Sequence, residues 1–145
     1  MKKYHIKRLE KLYAFLGTVK PVKFNFGSWA ENNNEPYKEP DLNVCGSTAC
    51  ALGWAGSMPE FRKRGLKLVW DQNWEEANVE YVDKHDDWFG AERAGAVFFG
   101  LSYDEACELF IPDESENRPS DMPLSQYRRR LRRFIDRKKR ELKIA

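Results

Sequence analysis

The chain has 145 residues, 41% of them hydrophobic and 33% charged, with a formal net charge of +2. Read as one domain spanning 1–145, it is long enough to bury roughly two thirds of the surface its unfolded form exposes, so no disulfide or metal staple is required. Three cysteines are an odd set, no signal peptide is recognisable, and no uncharged apolar run approaches the roughly 20 residues of a membrane span; free thiols, no membrane and a reducing intracellular setting are predicted.

Charge is placed unevenly. Residues 1–23 hold seven Lys or Arg against Glu10, a net +6, and residues 123–145 hold ten against Asp136 and Glu141, a net +8, which leaves the middle at −12. Two basic ends on an acidic body form either one external basic face or an internal pairing with that body, and the second needs no partner.

Taken in chain order, residues 4–16 place Leu9, Leu12, Tyr13 and Leu16 at helical spacing opposite Lys7, Arg8 and Lys11, with Gly17 as a stop. Val22, Phe24 and Phe26 alternate with Lys23 and Asn25, which predicts a short strand, and the Asn-rich stretch 31–40 with its two prolines reads as a loop. Between Asp41 and Glu60 no residue is charged. A run that is small or apolar all the way round predicts a buried helix over 48–58, the centre of the molecule. Ala49, Gly53 and Gly56 share one face of that helix at i, i+4 and i+7, so a neighbouring element can come close to its backbone.

Residues 66–70 and 79–82 read as a small antiparallel ribbon, and 88–99 as a helix with Ala91, Ala94, Gly95 and Phe98 inward and Gly100 closing it. Ser102 and Glu105 fit a capping box, with Leu101 and Ala106 placed as a hydrophobic staple. An acidic, proline-bounded linker over 112–123 precedes a basic amphipathic helix over 124–142, whose apolar stripe is Leu124, Tyr127, Leu131, Phe134 and Ile135. The fold class is therefore α+β, mainly α: four to five helices around the buried one, with the ribbon to one side.

The head of the central helix is the first candidate site. Gly46 can turn the chain, Ser47 or Thr48 suits the N-cap, and the unpaired first amides favour an anion or a thiolate, with Cys45 the thiol in position. Trp29, Cys45, Gly46, Ser47, Thr48 and Trp54 thus form a candidate pocket for a carboxylate or a nucleotide-like phosphate. Two other readings stay open: Cys45 and Cys50 as small packing residues, or Cys45 as a nucleophile with His85 as base and Asp83, Asp86 or Asp87 orienting it. The cluster 83–87 is equally the kind of polar turn that sits in solvent after a strand. With four residues between Cys45 and Cys50, and only His5, His85 and Cys107 besides, no usual zinc pattern is matched, and neither a metal nor a cofactor is expected. Five tryptophans need acceptors for their indole N–H groups when buried, so some are expected to line a pocket or interface.

The second candidate is the last helix. Arg128, Arg129, Arg132, Arg133, Arg137 and Lys138, with Arg130, Lys139 and Arg140, surround the apolar stripe so densely that like charges repel unless something negative lies opposite. That partner is the chain's own acidic middle, an acidic protein surface, or a nucleic acid backbone. No aromatic residue interleaves the basic face, so base stacking is not suggested.

Three motifs stand in order along the chain: Phe24-x-Phe26-x-x-Trp29, then Cys45-Gly46-Ser47-x-x-Cys50-x-x-Gly53-Trp54, then Gly100-Leu101-Ser102-x-x-x-Ala106-x-x-Leu109-Phe110, followed by the amphipathic helix. In this the chain resembles a family of small uncharacterised proteins from phages and bacteria, known by the motif order and not by an assigned activity. The resemblance implies a phage or mobile-element setting and a shared fold, and carries no catalytic residue across. The expected function is a non-enzymatic binding protein in the host cytoplasm, acting on a host protein or an anionic small molecule. The alternatives are a nucleic-acid-binding accessory protein using the basic helix, a cysteine enzyme using Cys45 and His85, and a minor virion structural protein.

Overall fold

A computed structural model of the chain describes residues 1–31, 40–43, 47–73 and 75–143. Among these, six α-helices and a three-stranded antiparallel sheet of order β1-β2-β3 enclose one hydrophobic core. The fold is α+β and mainly helical, as the hydrophobic periodicity predicts.

Helix α1 (Lys3–Leu16) buries Ile6, Leu9, Leu12 and Leu16 along its predicted stripe. The strand expected at 22–26 does not form. Pro21–Lys23 is a 3-10 turn with proline at its start, where the ring's fixed φ suits a helical turn, and Val22 points into solvent. Phe24 makes only an isolated parallel bridge to Ala49, while the rings of Phe24 and Phe26 pack on Tyr127 at 5.3 and 5.5 Å.

The central helix is sheltered but shorter than 48–58. Thr48 and Ala49 are extended, bridged to Glu31 and Phe24, so helix α2 runs only over Ala51–Ala55. Its N-cap is Cys50, whose Sγ accepts from Gly53 N at 3.5 Å, and not Ser47 or Thr48. After Gly56 the chain turns and Pro59 opens helix α3 (Pro59–Lys63). Ala49 through Ala55 are all buried. The small residues serve two neighbours: a Cβ on Gly53 would lie 1.7 Å from the Trp29 carbonyl oxygen, and one on Gly56 2.6 Å from Leu68 N. The segment before the central helix crosses it at the first glycine, and the sheet meets it at the second.

Strands β1 (Leu66–Asp71) and β2 (Glu76–Val82) extend the predicted ribbon, pairing Leu68 with Val79. A third strand, β3 (Trp88–Gly90), takes residues read as the start of a helix, because Trp88 and Phe89 pair with Val82 and Tyr81 and aromatic side chains suit a pleated surface. Ala91, at φ 53, turns the chain into helix α4 (Glu92–Phe99), which Gly100 closes at φ 67. Helix α5 (Tyr103–Phe110) opens on the predicted capping box: Glu105 N donates to Ser102 Oγ at 3.1 Å and Ser102 N to Glu105 Oε1 at 3.0 Å. Helix α6 (Leu124–Glu141) buries Leu124, Tyr127, Leu131, Phe134 and Ile135, each burial worth about 1.5–3 kcal/mol for a large apolar side chain. The Tyr127 hydroxyl donates to Leu109 O at 2.9 Å and ties α6 to α5. No helix among the described residues is long and apolar enough to cross a membrane.

Candidate functional site

At the head of the central helix, Cys45 and Gly46 lie outside the described residues. Ser47 is fully buried, its hydroxyl donating to Asp41 O at 3.1 Å. Thr48 exchanges both backbone hydrogen bonds with Glu31, at 2.8 and 2.9 Å, because the bridge draws it out of the helix. Its buried Oγ1 has no hydrogen-bond partner among the described residues. The Cys50 thiol faces the first helical amides; burial pushes it up to about 11, outweighing the amides of Gly53 and Leu52, so it is a protonated packing group at neutral pH.

Trp54 and Trp29 line different grooves. The Trp54 indole N–H donates to Lys23 O at 3.1 Å, and its ring lines a groove of about 440 Å³ with Phe15, Asp41, Pro59 and Arg62. Trp29 lines a different groove of about 420 Å³ with Phe26, Glu31, Glu76 and Phe110. Of the described members of the expected pocket, Trp29 and Trp54 thus line two different grooves, while Ser47 is buried beside α2.

His85 and Asp83 belong to the turn between β2 and β3. Asp83 Oδ1 accepts from His85 N at 2.8 Å and from Asp87 N at 3.0 Å, so this carboxylate oxygen organises the turn's amides. The imidazole is exposed and shares a cleft with Tyr4, His5 and Arg8, in which no described residue of the helix head takes part. Among the described residues no cluster of His, Cys, Asp and Glu could hold a metal ion.

The basic helix divides its charges between two flanks. Toward α1, Arg128 Nε donates to Tyr13 O at 3.3 Å with its guanidinium 4.2 Å from the Tyr13 ring centroid, Arg132 pairs with Asp136 at 3.4 Å, and Lys139 reaches Glu10 at 3.0 Å. Lys138 bridges Glu105 of α5 and Glu141, and Arg137 meets Glu108 at 3.5 Å. Burial works to raise the Glu105 carboxyl, yet its hydrogen bonds to Lys138 and Ser102 hold it below the usual carboxylate range. Part of the basic face is thus neutralised by the acidic body.

The other flank is paired only at Arg137 among the described residues. Arg130, Arg133, Arg137 and Arg140 follow one another at i, i+3, i+7 and i+10, a row of about 15 Å at 1.5 Å per residue. They edge a groove of about 390 Å³ whose floor includes Phe26, Met122 and Phe134, with Glu108 at its lip. Among the described residues Arg129, Arg130, Arg133 and Arg140 have no ion pair. Of the residues singled out from sequence, Arg133 and Arg137 line the groove, whereas Arg128, Arg132 and Lys138 anchor the helix. Arg130 and Arg140 complete the row, and their spacing was readable; Phe26, Glu108 and Met122 arrive from distant segments and carried no local signal. No protein-family model, curated protein or solved structure matches the chain, so its site is read from geometry alone.

Proposed function

We propose that the protein is a non-catalytic binding protein of phage or mobile-element type that acts inside the host cell, holding an acidic surface of a host protein in the groove along α6. The observation that carries this reading is the row Arg130, Arg133, Arg137 and Arg140, in which only Arg137 has a carboxylate partner among the described residues. Like charges at this spacing repel in the free protein and are relieved by carboxylates laid along them. Arginine's planar fork suits carboxylate recognition with two parallel hydrogen bonds.

An acidic protein surface fits this groove better than a nucleic acid backbone. Glu108 stands at the lip, Glu141 shares the flank, and the chain's middle carries −12; this repulsion acts on any anion but grows with charge density, and a duplex with one charge per about 1.7 Å meets more of it than a protein surface whose carboxylates are spaced apart. Phe134 and Met122 on the floor suit the apolar side of an amphipathic acidic segment.

The test is fluorescence anisotropy with a labelled Glu-rich amphipathic peptide and with a short DNA duplex, each at low and at physiological salt. Binding of the peptide, weakened about tenfold or more by Arg130→Gln with Arg133→Gln and Arg140→Gln, is the expected result. Preferential duplex binding that falls steeply with salt would move the assignment to nucleic acid. Failure to bind either probe would remove the groove as a docking site.

A further inference from the structure

A second basic feature lies away from α6. Arg8 of α1, Lys63 and Arg64 at the end of α3, and Lys84 of the β2–β3 turn converge on an open cleft of about 800 Å³. The volume falls within the roughly 300–1,000 Å³ common for small-molecule sites. Against four cations the cleft holds one acid, Asp83, and one of that residue's oxygens already accepts two turn amides. None of the four cations has a carboxylate partner among the described residues.

Arg8 is the fixed point. Its Nη1 donates to Phe98 O at 2.6 Å, and its guanidinium lies 4.1 Å from the Phe98 ring centroid and 4.9 Å from that of Tyr4. A guanidinium held by a carbonyl and two rings, half-buried and facing no carboxylate, is oriented before any ligand arrives. Lys63, Arg64 and Lys84 are exposed and free to close on an anion, while Tyr4, Val82 and Val97 offer exposed apolar surface in the same cleft.

We propose that this cleft binds a small phosphorylated molecule with a flat ring, of the nucleoside di- or triphosphate class, its phosphates held by Arg8, Lys63, Arg64 and Lys84 and its ring lying on Tyr4 beside Val82 and Val97. The phosphates need several cations because a diphosphate or triphosphate carries several charges, and one acid against four bases leaves the cleft suited to that load. The half-exposed Tyr4 ring, beside His5 and Arg8, supplies aromatic contact that inorganic phosphate cannot use. This site is independent of the α6 groove, and either assignment stands if the other fails.

Isothermal titration with ADP, and separately with inorganic pyrophosphate, tests the proposal on the full chain. ADP is expected to bind more tightly than pyrophosphate. Arg64→Ala combined with Lys84→Ala, both at exposed positions that do not threaten folding, is expected to weaken ADP about tenfold or more, and Tyr4→Ala, which also removes one of the two rings beside Arg8, to weaken ADP more than pyrophosphate. Lys20→Ala, an exposed charge outside the cleft, controls for loss of positive charge in general. Absence of ADP binding at about 1 mM, or binding unchanged by the Arg64 and Lys84 substitutions, overturns the site; equal affinity for ADP and pyrophosphate, or equal weakening of the two by Tyr4→Ala, overturns the ring-binding half.

Discussion

The carbonyl oxygen of Trp29 occupies the space a side chain on Gly53 would need, 1.7 Å from where its Cβ would stand. Backbone, and not a flexible side chain, fills that position, so nothing there can yield cheaply. Gly53→Ala forces Trp29 away from the central helix and breaks the approach on which the helix's shelter depends. A loss of about 3 kcal/mol or more in urea unfolding is expected, in the range of core overpacking and backbone displacement. Gly17→Ala is the contrast: the new Cβ would meet the Arg128 guanidinium at 2.9 Å, a side-chain end that can shift at the expense of its hydrogen bond to Tyr13 O, and the Ala14 carbonyl oxygen at 3.1 Å, in a backbone conformation open to any residue, and should cost about 1 kcal/mol. Equal costs at the two glycines would contradict this packing.

The buried Cys50 thiol accepts the Gly53 amide and is held protonated by its surroundings. Iodoacetamide at mildly alkaline pH should therefore modify the half-buried Cys107 well before Cys50, which should react only as fast as the protein unfolds. Peptide mapping after timed labelling reads both rates. Rapid modification of Cys50 in the native protein would mean that α2 opens far more readily than its packing allows.

His5 couples stability to acid. Its Nδ1 accepts from Lys2 N at 3.0 Å beneath Gly100, and burial, followed by Arg8, the N-terminus and Lys2, lowers its pKa from 6.5 to about 4. The unfolded chain takes up this proton near 6.5 and the folded chain only near 4, so the contribution is whole above 6.5 and is lost as pH falls between the two values. Discounted for solvent screening of the partly exposed imidazole, the full effect is about 1–2 kcal/mol. Urea unfolding at pH 7 and pH 5 should show a loss in the native chain that His5→Gln largely removes; parallel pH dependence in the two proteins would exclude His5 as the cause.

Features decided within a few residues were legible in the sequence. The Ser102–Glu105 capping box, the Gly100 stop and the apolar stripe of α6 stand where their spacing places them, because each depends on neighbours one helical turn away. The start of the central helix was not legible. Thr48 and Ala49 are drawn into extended backbone by Glu31 and Phe24, partners from a distant segment whose bridging no local pattern announces. Trp88 and Phe89 read as helical beside Ala91 and Ala94, yet the edge of β2 captures them. The α6 groove shows the same limit: its arginine spacing was on the page, but its floor is assembled from Phe26, Met122 and Phe134 only when the chain folds.

The claim on which the functional account turns is that the unpaired arginines of α6 serve a partner and not the fold. The unfolding free energy of the free protein carrying Arg130→Gln, Arg133→Gln and Arg140→Gln, compared with the native chain at low salt, tests it most directly. Relief of like-charge repulsion predicts a variant equally stable or more stable by a few tenths of a kcal/mol. A loss of more than about 1 kcal/mol would contradict the account, because it would show the row holding the protein together.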